Sequence, residues 1–151
     1  MSGVRLRLPA AMRAVGEALE RDGVTDAGLV FAADPDPPED FPAVEAELLE
    51  CFRASREAAA EGRPIVYVIS QADLLGQRGP LGGLRAGALL SALRSLAFEG
   101  ARDGLRANAL AVGDTPDPER VATWIAHLLL DDGVSGELVR VDAAHVGKAL
   151  P

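Results

Sequence analysis

The side chains that could do chemistry in this sequence are few and scattered. One cysteine, Cys51, and one tyrosine, Tyr67, accompany two histidines, His127 and His145. A nucleophilic thiol needs an activating base or cation. No histidine stands near Cys51, which falls within a helical apolar pattern and reads as a buried packing group. A metal site needs convergent ligands, whereas His127 fits a helix face and His145 the C-terminal tail. The acidic groups Glu17, Glu20 and Asp22, and again Asp34, Asp36, Glu39 and Asp40, could suggest acid/base pairs or a calcium loop. They lack calcium-loop spacing with its terminal glutamate, and Pro35, Pro37 and Pro38 would obstruct such a loop's backbone. They read as solvated surface. The segment Gly76 to Gly83 could cradle an anion, but it carries no P-loop lysine and serine, and linking a strand to a helix accounts for its glycines. Tyr67 lies inside an apolar run and is expected to pack there.

The elements that must position these groups alternate regularly. Val4 to Leu8 reads as a short edge strand with Arg5 and Arg7 on a wet face. A helix follows from Pro9 through Met12, Val15, Ala18 and Leu19, stopped by Asp22-Gly23. Gly28 to Ala33 and Ile65 to Ser70 are continuous apolar runs, as expected for buried parallel strands. Between them Pro42 opens a helix with Val44, Leu48, Cys51, Phe52 and Ser55 on one side. Gly76 to Gly83 reads as a loop before a long Ala/Leu helix, about Leu84 to Arg102. Leu105 to Val112 is a further strand, Asp117-Pro118-Glu119 starts a helix running to Leu130, and Glu137 to Val141 is the last strand. Strands alternating with helices predict an α/β fold with a mainly parallel sheet of about five strands, flanking helices and right-handed crossovers.

Size and composition bound the function. The 151 residues fit one domain, and 48% hydrophobic residues suffice for a real core. The net charge of −8, from 23 acidic against 15 basic residues, argues against nucleic acid, as does an aromatic content of 4%. The apolar runs are too short to span a bilayer, and Met1 to Leu8 lacks the core of a signal peptide, so a cytoplasmic protein without membrane partners is expected.

From about Asp26 to Ala143 the segments and motifs resemble the short-chain dehydrogenase/reductase family. LVFAAD (Leu29 to Asp34) resembles the family's LVNNAG, and IVYVIS (Ile65 to Ser70) resembles the strand ending in its catalytic serine. LLSALRSLAFEGARDGLRANALAVGDT resembles its long helix, following strand and loop. DPERVATWIAHLLLDDGVSGELVRVDA resembles its last helix and strand. The resemblance implies a truncated and degenerate member with a shortened sheet in a Rossmann-like three-layer fold. The family's TGxxxGxG turn, which admits a dinucleotide pyrophosphate at a helix N-terminus, has no counterpart: Gly3, Gly16 and Gly23 fall before the first strand, within the first helix and at its end. With SLAFE (Ser95 to Glu99) aligned, the tyrosine and lysine of YxxxK fall on Gly82 and Ala86. A shift of one puts Arg85, a permanent cation, at the lysine position. Ser70 matches the serine as a vestigial candidate, Glu47 replaces the helical asparagine, and Phe31 and Ala32 replace the two asparagines of NNAG. Of the substrate-covering segment only Asp114 to Asp117 remain.

These losses lead to the expectation of a pseudoenzyme that binds no NAD(P). Two missing βα units would leave a free edge and a bare sheet face, which Val4 to Leu8 and a partner would cover. The resemblance places a dimer interface on the long helix, with Leu84, Ala88, Leu89, Ala92 and Leu96 as candidates. The partner would be a second copy or a full-length relative. Three rivals stay open: an active ketoacyl- or hydroxyacyl-type reductase with an unusual cofactor arrangement, a cofactor-independent lyase using Ser70 and a carboxylate such as Glu47, and a small-ligand binding module at the strand C-termini near Asp34, Ser70 and Gly113.

Overall fold

A computed structural model describes residues 6–142; Gly3, Val4, Arg5 and His145 lie outside them. Five strands form one all-parallel sheet in the order β1-β2-β3-β4-β5: Leu6–Arg7, Leu29–Ala32, Ile65–Ser70, Ala107–Val112 and Leu138–Val141. A 3-10 turn at Ala10–Met12 leads into α1 (Arg13–Arg21). The other helices are α2 (Phe41–Ala60), α3 (Gln71–Leu74), α4 (Pro80–Glu99) and α5 (Pro118–Leu130). Helices on both faces of a parallel sheet make a three-layer, Rossmann-like α/β fold. The edge strand β1 stands where the sequence placed it.

Alternation along each strand divides the core in two. Val30, Ala32, Val66, Val68 and Leu110 meet Val15 and Leu19 of α1 and Val121, Ile125 and Leu129 of α5. Leu29, Phe31, Ile65, Tyr67, Ile69, Ala107 and Ala109 meet Cys51 and Ala58 of α2 and Ala86, Leu89 and Leu93 of α4. Each fully buried Leu or Ile contributes roughly 1.5–3 kcal/mol relative to exposure. Both faces of the central strands are therefore covered from within the chain, and the expected bare face is absent among the described residues. Two-sided apolarity does not require a partner in this fold.

The crossovers also depart from expectation. Each strand is added on the same side of its predecessor, so the face that carries the connecting helix sets the hand of the crossover. Helices α1 and α5 lie on one face and α2 and α4 on the other. The two pairs of crossovers therefore have opposite hands, and right-handedness, the near-universal preference, fails for one pair.

Helix boundaries follow local chemistry. Asp40 caps α2 by accepting from the Ala43 amide at 2.8 Å, with Pro42 in the first turn. The long helix begins at Pro80, with Gly79 at φ 95° before it. Gly82 and Gly83 thus lie in its first turns, not in a loop, and the helix ends at Glu99 in a 3-10 turn, Gly100–Asp103. On α2 the buried stripe is Val44, Glu47, Cys51, Ser55 and Ala58. Phe52, expected on that side, is 62% exposed, because the stripe passes through Cys51 and Ser55 and leaves Phe52 just outside it.

Candidate functional site

The C-terminal ends of the strands gather an unusual concentration of buried charge. Ser70 ends β3 and caps α3, its Oγ accepting from the Asp73 amide at 3.3 Å. This short helix turns Asp73 inward, where it is 1% exposed. Asp73 Oδ2 accepts from Arg85 Nη2 at 2.7 Å and Oδ1 from Arg78 Nε at 2.9 Å. Arg85, on the buried side of α4, spans to α2 as well, its Nη1 donating to Glu47 Oε2 at 3.0 Å. Glu47 Oε1 accepts from the Asp34 amide at 2.8 Å and lies 3.6 Å from Arg7 Nη1.

Arg7 completes the cluster. Its guanidinium lies 4.9 Å from the Phe31 ring centroid, donates to the Ala32 carbonyl at 2.8 Å and pairs with Glu50 at 3.0 Å. The expectation that Arg7 points to a wet face is corrected: the charge is folded back over β2, which blunts the edge by covering it.

The electrostatics favour a fixed network. Burial is the largest single influence on Arg85 and disfavours its charged form, but the hydrogen bond to Asp73 and the adjacent Glu47 together raise its pKa further above the usual arginine range. Arg85 Nε is buried without a protein hydrogen-bond partner. Its residue lines a 440 Å³ cavity, with Arg7, Asp34, Asp36, Glu47 and Glu50, that is polar and roomy enough for water.

Gly82 belongs to the same construction. A Cβ there would collide with Asp73 Oδ1 and fall 2.9 Å from its Cγ. Only glycine lets α4 and the Asp73 carboxylate approach so closely. Of the glycine pair expected to punctuate a loop, Gly82 is a packing device, while Gly83 leaves room for a side chain.

A second cavity, of 320 Å³, opens where the sequence pointed, with Ser70, Gly113 and Asp114 at its edge and Met12, Val68 and Val112 in its wall. Asp34, expected beside Ser70 and Gly113, lines the other cavity instead. Ser70 and Glu47 are not brought together as a catalytic pair: Ser70 is bound to the Asp73 amide and Glu47 to Arg85 and the Asp34 amide. Gln71 bridges onward, donating to Asp142 at 2.8 Å and accepting from Arg140 at 3.1 Å.

Tyr67 is 1% exposed and its hydroxyl shares a 2.6 Å hydrogen bond with Ser55 Oγ. Burial raises the phenol pKa far above its ordinary value, and burial likewise pushes the Cys51 thiol up to about 11. Neither supplies a proton donor or nucleophile at neutral pH. His127 sits on α5, its ring 5.9 Å from that of Trp124. Among the described residues no three His, Cys, Asp or Glu side chains converge as a metal site, and no helix is long and apolar enough to cross a membrane.

The interface candidates divide. Leu89 is 1% exposed in its own core and offers no free surface, whereas Leu96 packs partly against that core and stays partly exposed. Leu84 is 46% exposed, and Ala88 and Ala92 lie along the same outer side of α4. The neighbouring α2 exposes Phe41, Leu49 and Phe52.

No protein-family model matches the chain, and no curated protein sequence matches it. Solved dehydrogenases share its backbone. It is similar to 4-hydroxyisoleucine dehydrogenase complexed with NADH and succinate, with a TM-score of 0.68 and 17% identity, over 93% of this chain and 78% of that one. It is similar to the citronellol catabolism dehydrogenase of Pseudomonas aeruginosa, with a TM-score of 0.62 and 24% identity, over 89% and 68% of the two chains. It also resembles a short-chain dehydrogenase/reductase of the glucose/ribitol dehydrogenase type from Brucella melitensis, with a TM-score of 0.59 and 22% identity, over 87% and 68%. At these identities the likeness establishes the fold alone.

Proposed function

We propose that the chain is a shortened, non-catalytic relative of the short-chain dehydrogenases, a pseudoenzyme that acts as a structural or regulatory subunit. The observation that carries the reading is the packing of Gly82 against Asp73. At one register Gly82 stands where the family's tyrosine would be, and there is no room for any side chain. At the neighbouring register the lysine position falls on Arg85, held between Asp73 and Glu47. A permanently charged, doubly paired guanidinium cannot relay a proton.

The residues present do not fit a dinucleotide. The turn after β1 is Leu8-Pro9-Ala10, and Pro9 has no amide hydrogen to offer a pyrophosphate. The Met12 amide is already bonded to the Pro9 carbonyl at 2.8 Å. Asp36 and Asp114 border the 320 Å³ cavity, and Arg78, the cation in its lining, is paired with Asp73, so the acidic rim disfavours phosphates. Nothing in the proposed role requires NAD(P).

The subunit role rests on the outer surface of α2 and α4, where Phe41, Leu49, Phe52 and Leu84 are exposed beside small residues. The occupant would be a second copy or a full-length dehydrogenase. A second reading, a small-ligand module, is favoured by the 320 Å³ cavity with the Ser70 hydroxyl at its edge.

Calorimetric titration of NADH and NADPH into the full chain tests the non-catalytic reading: no saturable heat is expected, and micromolar binding would sink it. Solution mass tests assembly. A dimer that Phe52→Glu or Leu84→Glu converts to monomer is expected, and a monomer at micromolar concentration for the unmodified chain, with no complex formed with a full-length dehydrogenase, removes the subunit role.

A further inference from the structure

We propose that residues 34–40 form a strap over the C-terminal end of the sheet, separating the two cavities, and that Arg78 and Arg85, both anchored on Asp73, are its latch. The strap begins where the ladder stops, just after the Ala33 amide bonds the Val68 carbonyl at 3.0 Å. Its sequence, Asp34-Pro35-Asp36-Pro37-Pro38-Glu39-Asp40, cannot extend the sheet, because three of its seven residues have no amide hydrogen. None of its side chains belongs to either apolar cluster. Its prolines are at most partly buried and the rest of it is exposed, so hydrophobic burial does not pin it.

Three polar contacts do. Arg78 Nη1 donates to the Pro35 carbonyl, Arg85 Nη2 to the Asp36 carbonyl at 3.1 Å, and the Asp34 amide to Glu47 Oε1 at 2.8 Å. Both arginines are fixed by one carboxylate, Asp73, which is 1% exposed and takes a hydrogen bond from each. Asp73 thus aims both guanidinium groups at the strap: Arg78 bonds it through Nε while Nη1 reaches the Pro35 carbonyl, and Arg85 Nη2 serves Asp73 and the Asp36 carbonyl together. Asp36 borders the 320 Å³ cavity on the Ser70 side and the 440 Å³ cavity on the Glu47 side. Releasing the latch lifts the strap and joins the two spaces into one cleft. The device stands apart from the functional reading above, since it requires only that the latch be polar and local.

Amide hydrogen exchange on the full chain reads it at Asp34, whose amide is tied to Glu47, and at Asp36, whose amide is held within the strap by Asp34 Oδ1 at 3.0 Å, with core amides of β3 and β4 as the internal reference. Arg78→Met removes one donor fork. Exchange at Asp34 and Asp36 is expected to rise by roughly tenfold or more, the loss corresponding to a charged hydrogen bond, while the core amides hold. Cleavage by an Asp-specific protease within the strap should accelerate in step. Arg78→Lys keeps the charge beside Asp73 but offers one head group in place of a fork, and a smaller rise is expected. Asp73→Asn should free both arginines and exceed either. Strap amides that stay at wild-type rates in Arg78→Met and Asp73→Asn, or core amides that accelerate by the same factor as the strap in all three variants, would overturn the proposal.

Discussion

Helices α1 and α5 cover one face of the sheet with side chains that are apolar throughout the buried layer. The ion pair that joins them, Arg21 with Glu119, lies outside that layer at 2.7 Å, with both partners more than half exposed. Helices α2 and α4 cover the other face with an apolar layer too, but at the C-terminal ends of the strands that layer gives way to Arg85, Asp73 and Glu47, all within 9% exposure. The two pairs use the same chemistry in opposite settings. In water an arginine–carboxylate pair is screened and contributes little. Out of water each charge depends on the other, so removing one leaves its partner stranded. The second face therefore concentrates its sensitivity at the C-terminal ends of the strands.

Removing Arg85 should produce the largest effect. Arg85→Met leaves Asp73 with Arg78 alone and strips Glu47 of its best partner, and a loss of about 3–5 kcal/mol in denaturant-measured stability is expected. A change under about 1 kcal/mol would mean that the buried pairs behave like surface ones. Alkaline pH comes next. The Cys51 thiol rises from an ordinary 9.0 to about 11 in the folded chain. Below pH 9 both folded and unfolded chains hold the proton, and this contribution is fully present. Above it the unfolded chain ionises first, so stability falls as pH rises through 11, by roughly 2–3 kcal/mol for two pKa units. Urea titrations at pH 8, 9.5 and 11 should show the decline, and Cys51→Ser should make it shallower, leaving the part that the buried Tyr67 phenol contributes above pH 10.

Gly82→Ala is the third and more local intervention. Its Cβ must push Asp73 or α4 aside, at a cost of about 1–3 kcal/mol, and a neutral result in thermal melting would show that the contact relaxes freely. Smallest is Arg21→Gln, which should leave the melting temperature nearly unchanged at 150 mM salt.

Much of the frame was readable in the sequence. Runs such as Ile65 to Ile69 are apolar at every position because they are buried on both faces, and prolines at 42, 80 and 118 fall in first helical turns. The start of α4 was hidden because Gly82 and Gly83 look like a loop, although Gly79-Pro80 carried the helix-start signal. Helix α3 was missed despite Ser70 and Asp73 standing at capping-box spacing. The ion network left a fainter trace. Arg85 falls on the stripe Gly82, Ala86, Leu89, Leu93, and Glu47 on the stripe Val44, Cys51, Ser55, so each is a charge placed on a buried face. Periodicity could flag those positions, but the pairing across α2, α3 and α4 depends on tertiary packing. Opposed crossover hands had no local signal at all.

The proposed non-catalytic role rests on a fixed ion network at the strand C-termini. Side-chain nitrogen NMR of Arg85 tests it most directly. Resolved, slowly exchanging guanidinium signals that stay unchanged when NADH or NADPH is added are the expected result. Signals that shift or broaden on adding either dinucleotide would contradict the account.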